Sequence, residues 1–370
     1  MKRTILISLI VFLFISVNAQ QKEESIRAFN IDYNWDPKGG YINSFAKPGL
    51  WADADPAVLM KWYEDLGCNV VHSFAVSCNG YSWYKNSLIP EQPGLKYDFL
   101  TEMVKIGNKK KMKVFGYYCV GANTKWGLDH PDQSYGTPAI PHIPFTTQYI
   151  DYLCASIKDA MLKTGMHGVM LDWVWTPSGG YRKDPEPIKW LPCEQIMYKE
   201  LMGKDFPGVG KTTAEEELTF RSRSIDRIWS KIYQTVKQTD PNCLIWVTCS
   251  NVLCPDVAYC KMFREADWLM NEAGDIEATE AMYKMVTKKT KLITCLADWN
   301  GQDPADVATA AIKNNVALYG FTKPIIGYEM PAVSMYLKYP VSSYSYKGDS
   351  KNIAVLARVF KGLPIAFVKK

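Results

Sequence analysis

The chain has 370 residues, of which 47% are hydrophobic, so it is long enough to bury one large core. Its formal net charge is only +5, and its 43 lysines and arginines are scattered along the sequence rather than clustered. This distribution argues against a nucleic-acid-binding protein and against a charged, disordered tail.

The first 19 residues have the layout of a secretory signal peptide. Lys2 and Arg3 supply a positive start, residues 5–17 form an apolar core, and Val-Asn-Ala at residues 17–19 is a small-residue cleavage site. This apolar core is short for a membrane span, and no later segment is apolar for long enough to cross a bilayer. We therefore expect an exported protein, periplasmic or secreted, whose mature chain has no membrane span.

Eight short segments that are apolar along most of their length predict strands covered on both faces, as in a parallel sheet. In chain order they span residues 27–33, 69–75, 113–119, 168–173, 244–249, 267–270, 291–297 and 316–321. Cys119, Cys249 and Cys295 lie inside these runs, where a free thiol behaves as a small hydrophobic side chain.

Helices are predicted between the strands, where apolar residues recur at helical spacing. Asp55 and Pro56 are expected to open the first helix and Gly67 to close it, and Asp98 is expected to cap the second. The predicted helices span residues 56–66, 99–108, 147–163, 215–239, 255–265, 276–288 and 304–314, with a last one from residue 349 or 350 up to Gly362.

A strand followed by a helix, repeated eight times, is typical of a (β/α)8 barrel, the TIM barrel of the α/β class. A doubly wound sheet usually has a glycine fingerprint after its first strand, and FNIDYNWDPKGG at residues 29–40 contains none. We expect a single domain over residues 20–370. The longest interruption, at residues 176–213, falls between the fourth strand and its helix, and we expect it to cover the active-site face.

The predicted strand ends carry carboxylates, amides and aromatic rings, and catalytic groups in such barrels lie where strands end and loops begin. This composition suits a sugar, because pyranose faces stack on aromatic rings, hydroxyls pair with carboxylates and amides, and glycoside hydrolysis uses two carboxyl groups. The candidate sugar-binding residues are Asp32, Trp35, His72, Asn79, Tyr81, Trp83, Tyr117, Trp126, Trp173, Trp175, Asn251, Asn271, Asp298 and Trp299.

Two carboxylates are the candidate catalytic pair. Asp172 ends the apolar strand in GVMLDWVW, where it is either a structural acceptor of backbone N–H groups or a nucleophile that neighbouring donors keep ionised. Glu272 ends WLMNE, where an apolar setting would raise its pKa as a general acid requires. An ordinary ion-paired glutamate is the alternative, and Asp275 and Asp298 are rival acids. A mechanism that retains the anomeric configuration predicts that the two carboxyl groups lie about 5–5.5 Å apart. An inverting mechanism predicts a separation of about 6.5–9.5 Å.

Neither a metal nor another cofactor is expected. His72, His130, His142 and His167 include no close pair, which argues against the metal-dependent hydrolases that share this barrel. FPGVGKTT at residues 206–213 is similar to a phosphate loop, but Asp205 stands where that motif needs its first glycine.

Three segments resemble the α-L-fucosidases of glycoside hydrolase family 29. NVVHSFAVSCNGYSWYKNS at residues 69–87 has the layout of the family's second-strand region, which reads Lys-His-His-Asp-Gly-Phe and then a tryptophan, with Asn79, Gly80 and Tyr81 in place of Asp-Gly-Phe. MKVFGYYCVGANTKW at residues 112–126 is similar to the third strand, and GVMLDWVW to the fourth, where the family's nucleophile falls on Asp172.

The resemblance runs in order over residues 50–175 and implies a β/α barrel with a retaining, two-step mechanism. Ser77 and Cys78 stand where the family has the histidine pair that holds fucose, so the resemblance implies the reaction class rather than the sugar. A nucleophile on the fourth strand with an acid on the sixth also resembles the α-galactosidase barrels.

The leading hypothesis is therefore an exported, retaining exo-glycosidase that acts on a glycan or oligosaccharide, with Asp172 as nucleophile and Glu272 as acid/base. A barrel that binds carbohydrate without cleaving it is the first alternative. A nucleotide- or metal-dependent hydrolase is the second.

Overall fold

The computed structural model describes residues 25–39, 45–137, 139–176, 188–250, 252–296, 301–325, 330–341 and 349–365. Three candidate site residues, Asn251, Asp298 and Trp299, lie outside these ranges. So do the predicted signal peptide and residues 177–187 of the predicted cover over the active-site face.

Eight parallel strands form one closed barrel, in which each strand pairs with its neighbour in sequence and β8 pairs with β1. This confirms the predicted (β/α)8 fold. Nearly every strand residue is buried, because one face of each strand packs in the barrel interior and the other packs under helices. The strands are β1 Arg27–Ile31, β2 Val70–Val76, β3 Lys113–Cys119, β4 Gly168–Asp172, β5 Leu244–Cys249, β6 Trp268–Asn271, β7 Lys291–Leu296 and β8 Ala317–Thr322.

Helices connect the strands around the outside of the barrel. They are α1 Pro56–Leu66, α2 Phe99–Lys110, α3 Thr124–Asp129, α4 Thr147–Thr164, α5 Pro192–Met202, α6 Ala214–Thr239, α7 Met262–Glu265, α8 Ile276–Met285, α9 Pro304–Lys313, α10 Val333–Leu337 and α11 Asp349–Phe360. Within the described ranges, no helix has the length and hydropathy that a membrane crossing requires.

The first helix begins and ends as its sequence predicts. The Asp55 carboxylate accepts a 2.8 Å hydrogen bond from the Ala57 N–H, which satisfies one of the free donors at the start of α1. Gly67 ends α1 with a φ of 94°, a left-handed conformation that glycine adopts without a steric penalty.

Two local predictions were wrong. Residues 255–265 form a helix only at Met262–Glu265, because the Cys254 carbonyl accepts the N–H groups of both Val257 and Ala258 and starts a series of turns instead. Asp98 does not cap α2, since its carboxylate accepts the Lys85 N–H at 2.9 Å and ties the preceding loop to the helix start.

The segment FPGVGKTT leads into a helix cap. Thr213 Oγ1 accepts the Glu216 N–H at 3.2 Å, and the Glu216 carboxylate accepts the Thr213 N–H at 2.9 Å. This reciprocal pair is a capping box that begins α6. The polar residues of the segment thus have a structural role at the start of a helix.

Candidate active site

A cavity of about 50 Å³ lies where the barrel strands reach their C-terminal ends. Its lining combines three carboxyl groups with aromatic and sulfur-containing side chains from most of the strands. The residues that line it are Asp32, Asn34, Trp35, Phe45, His72, Cys78, Tyr117, Met170, Asp172, Trp173, Met270, Glu272, Tyr319 and Phe321. The structure thus brings seven predicted site residues together: Asp32, Trp35, His72, Tyr117, Asp172, Trp173 and Glu272.

Asp172 is the last residue of β4 and is only 8% exposed. Its Oδ2 atom accepts a 2.8 Å hydrogen bond from the Tyr117 hydroxyl, and its Oδ1 atom accepts the Trp173 N–H at 2.7 Å. Desolvation, with a smaller contribution from the charge of Asp32, raises the pKa of Asp172 to about 7, although these two donors act in the opposite direction. The carboxyl group can therefore ionise near neutral pH.

The backbone turns sharply just after Asp172. Trp173 has a φ of 54°, a left-handed conformation that costs a bulky residue about 1–3 kcal/mol. In this conformation the Trp173 N–H turns back onto the Asp172 carboxylate, and the indole ring lines the cavity. Such strain is typical of sites where backbone geometry positions a reactive group.

Glu272 follows β6 directly and lies in the same cavity as Asp172. Ser250 Oγ donates a 3.2 Å hydrogen bond to Glu272 Oε2. Desolvation raises the pKa of Glu272 well above its usual value, and the charge of Asp172 is the next largest cause. When two neighbouring carboxyl groups differ in this way, the one with the higher pKa holds the proton and the other ionises first.

Asp32, just after β1, is the third carboxyl group of the cavity. Its Oδ1 atom accepts the Asn34 N–H at 2.9 Å, and its Oδ2 atom accepts the Trp35 indole N–H at 3.0 Å. Desolvation raises its pKa to about 6 despite these donors. Asp32 also contributes to the raised pKa of both Asp172 and Glu272, so the three carboxyl groups form one electrostatically coupled set.

His72 lies between two tyrosines in the barrel interior. Its ring is stacked on Tyr117 at 5.0 Å between centroids and on Tyr319 at 5.9 Å, and its Nδ1 atom is 3.0 Å from the Tyr319 hydroxyl. Burial lowers the pKa of His72 to about 3, so the imidazole is neutral near pH 7. Its Nε2 atom has no hydrogen-bond partner among the described residues.

Aromatic rings form a continuous wall beside the carboxyl groups. Trp35 packs on Phe45 at 5.5 Å between centroids, and Phe45 packs on Trp173 at 5.8 Å. His142 and Trp175 stack on the other side of Trp173. Trp35 and Trp173 are half-buried, so each residue keeps some surface accessible to solvent.

Six other predicted site residues do not line this cavity. Trp83, Trp126 and Trp175 are buried in the hydrophobic core, and Asn271 is buried on β6 with its amide donating to the Asp275 carbonyl. Asn79 and Tyr81 belong to the loop after β2, where the Asn79 side chain accepts the Tyr81 N–H at 3.2 Å. Their predicted contact with a sugar stays a prediction.

The rival acid Asp275 has another position. Its carboxylate accepts the Ala278 N–H at 2.5 Å and caps α8, and the residue does not line the cavity. Of the acid candidates within the described ranges, Glu272 is the one that lies in the cavity beside Asp172.

Several lining residues were not predicted from the sequence. Tyr319 and Phe321 lie two residues apart on β8, so they share the inward face, and strand alternation over residues 317–322 carries that signal. Met170 and Met270 look like ordinary core residues in sequence. Asn34 positions a loop, since its Oδ1 atom accepts the Cys78 N–H at 2.8 Å, and Cys78 in turn lies 3.4 Å from the Tyr117 hydroxyl.

The fold is similar to that of several solved glycoside hydrolases. The α-L-fucosidase isoenzyme 2 from Paenibacillus thiaminolyticus superposes with a TM-score of 0.61 at 12% identity over 91% of this chain and 49% of its own. The β-galactosidase from Bacillus circulans sp. alkalophilus has a TM-score of 0.54 at 12% identity, over 92% of this chain and 56% of its own. The PgaB (BpsB) glycoside hydrolase domain from Bordetella bronchiseptica has a TM-score of 0.52 at 11% identity, over 81% of this chain and 93% of its own.

This chain thus spans about half the length of the fucosidase. At these identities the similarity shows a shared barrel fold. No protein-family model and no curated protein matches the sequence.

Proposed function

We propose that this protein is a retaining glycoside hydrolase, with Asp172 as the nucleophile and Glu272 as the acid/base. The observation that carries the proposal is the pair of carboxyl groups of Asp172 and Glu272. Carboxyl groups at the ends of β4 and β6 line one cavity, and the two are electrostatically coupled. Two donors favour the ionised form of Asp172, whereas the charge of Asp172 favours the protonated form of Glu272.

The reaction proceeds in two steps. Glu272 donates its proton to the glycosidic oxygen while an Asp172 oxygen attacks the anomeric carbon, which releases the leaving group and forms a glycosyl ester. Glu272, now ionised, removes a proton from water as the water attacks the same carbon and frees Asp172. Each carboxyl group returns to its starting state.

The aromatic wall of Trp35, Phe45 and Trp173 supports a sugar as the ligand. Aromatic rings pack against the apolar faces of a pyranose, while the carboxyl and hydroxyl groups of the cavity pair with its hydroxyls. The small volume enclosed by the described residues favours action on a terminal sugar. Residues 1–19 support export of the protein.

A screen of aryl α- and β-glycosides tests the proposal. We expect release from at least one sugar by the wild-type chain and loss of about 10³-fold or more in Asp172→Asn and Glu272→Gln. Glu277→Gln, which changes an exposed carboxylate on α8, is the matched control and should retain activity. The anomer formed first, followed by NMR, reports the stereochemistry, and an inverted product would contradict the retaining mechanism.

A barrel that binds carbohydrate without cleaving it is the second candidate. The observation that favours it is that Ser77 and Cys78 stand where the fucosidases have the histidine pair that holds fucose. Calorimetry with a glycan panel separates the two functions. Binding without release from any glycoside would support the second candidate and overturn the first.

A further inference from the structure

Asp32 is a carboxyl group that the two-step hydrolysis does not use. Both of its oxygens are held by donors from its own loop, the Asn34 N–H and the Trp35 indole N–H, so its position in the cavity wall is fixed. A carboxylate so oriented retains free lone pairs for a ligand. Because Asp32 lies beside the catalytic pair, we expect its free lone pairs to accept a hydrogen bond from the bound molecule.

The cavity carries excess negative charge once the nucleophile is ionised. Desolvation raises the pKa of Asp32 to about 6 and that of Asp172 to about 7, so both carboxyl groups can carry charge near neutral pH. Among the residues of the described ranges that line the cavity, none is a lysine or an arginine, and His72 is neutral. Among the described residues, the charge of Lys323 lowers the pKa of Asp32, and it is the smallest of the causes. Its Nζ atom lies over the Trp35 ring, 5.1 Å from the centroid.

The remaining polar groups of the cavity suit a ligand that brings its own positive charge. The hydroxyls of Tyr117 and Tyr319 are weakly acidic in this setting, because burial and the nearby carboxylates raise their pKa well above the usual value. The buried Nε2 atom of His72 has no partner in the described part of the chain. A neutral sugar would leave the charges of Asp32 and Asp172 in mutual repulsion. An ammonium group would offset one of them and donate up to three hydrogen bonds.

We propose that the sugar bound in this cavity carries a primary ammonium group that pairs with Asp32, which makes the ligand an amino sugar. This inference rests on the proposed function for the statement that the ligand is a sugar. Within the mechanism, Asp32 selects the substrate, and Asp172 and Glu272 carry out the reaction.

Equilibrium binding tests the proposal without requiring turnover. Calorimetry would compare glucosamine, galactosamine and mannosamine with their N-acetyl derivatives and with glucose, galactose and mannose, using the Glu272→Gln chain. We expect at least one free amino sugar to bind about tenfold or more tightly than both of its neutral counterparts at pH 6.8, where its amine, with a pKa roughly that of an α-amino group, is mostly protonated. Asp32→Asn should weaken binding of that amino sugar about tenfold more than binding of its neutral counterparts, because the amide keeps hydrogen bonding but loses the charge. Thermal melting would establish that this variant is folded.

A second measurement needs no change at Asp32. The preference for the amino sugar should fall as the pH is lowered from 6.8 to 5, because Asp32 becomes protonated over that range while the ammonium stays charged. Asp172 and Glu272 also face the ligand and gain protons over this range, so Asp32→Asn measured over the same pH series isolates the contribution of Asp32.

The proposal is overturned if none of the free amino sugars is preferred, or if Asp32→Asn weakens charged and neutral sugars equally. The proposed function fails separately, through absence of release from every aryl glycoside. Turnover of neutral glycosides without any preference for an ammonium group would leave the hydrolase standing and remove the inference.

Discussion

The Tyr117 hydroxyl donates a 2.8 Å hydrogen bond to Asp172 Oδ2, and the two residues lie on neighbouring strands of the barrel. A donor to the ionised form of a carboxyl group lowers its pKa. Tyr117 therefore works against the desolvation that raises the pKa of Asp172 to about 7. It is a positioning residue that keeps the proposed nucleophile ionised at neutral pH.

Removal of the Tyr117 hydroxyl should shift the pH dependence of activity. Tyr117→Phe is expected to raise the pKa of Asp172, which shifts the acidic limb of the kcat/KM profile upward by about one pH unit. Activity at pH 7 should fall by about fivefold, with partial recovery at pH 8.5.

Tyr118→Phe is the matched control for that change. Tyr118 is the next residue on β3 and projects to the other face, where its hydroxyl donates to the Ser156 carbonyl at 2.9 Å. This variant should lose about 1 kcal/mol of stability without moving the pH profile. A shift of equal size in both variants would contradict the assigned role of Tyr117.

The raised pKa of Asp172 also predicts how stability changes with pH. A carboxyl group whose pKa is higher in the folded state than in the unfolded state contributes stability below its unfolded value near 4, and loses it as the pH rises through the folded value near 7. The free energy of unfolding of the wild-type chain should thus fall between about pH 4 and pH 7. In Asp172→Asn the free energy of unfolding should depend less on pH, and its fall over this range should be smaller by on the order of 1–3 kcal/mol. Urea denaturation at several pH values measures it, and parallel curves for the two chains would argue against the raised pKa.

Gly121 tests the strained turn that follows Asp172. A Cβ atom at Gly121 would lie 2.5 Å from the Trp173 carbonyl oxygen and 3.1 Å from that of Trp175. Both contacts are with backbone, so Gly121→Ala should displace the turn and reduce kcat/KM by about tenfold or more. The control is Gly165→Ala, where φ is 65° and nothing lies within 4 Å of the added atom. That change should cost about 1 kcal/mol of stability and leave activity intact. Equal activity in both variants would show that the turn does not position the site.

Trp173 is expected to bind the sugar through its ring. Trp173→Ala should weaken sugar binding about 10–100-fold, and Trp173→Phe should restore part of the affinity, because an aromatic face is retained. Trp62→Phe, which changes a tryptophan on α1 away from the cavity, should leave binding unchanged. Unchanged affinity in Trp173→Ala, measured by titration calorimetry, would remove this residue from the proposed sugar site.

The amino-acid sequence by itself determined that the chain forms a barrel, and at which end of the barrel the candidate catalytic carboxyl groups lie. Eight apolar runs separated by amphipathic stretches allow few arrangements other than parallel strands covered by helices. Parallel strands end at a common rim, so Asp172 and Glu272, at the ends of two apolar runs, had to lie on the same face of the molecule.

Only the tertiary structure decided which side chains face the cavity. Tyr319 and Phe321 become part of the site because β8 closes onto β1, a pairing between residues nearly 300 positions apart that local sequence patterns do not encode. Trp83, Trp126 and Trp175 occupy the same kind of loop in sequence as Trp35 and Trp173, yet they pack into the core. The direction of a loop side chain depends on the path of the whole loop and on the neighbours it meets there, and both are set only when the barrel closes.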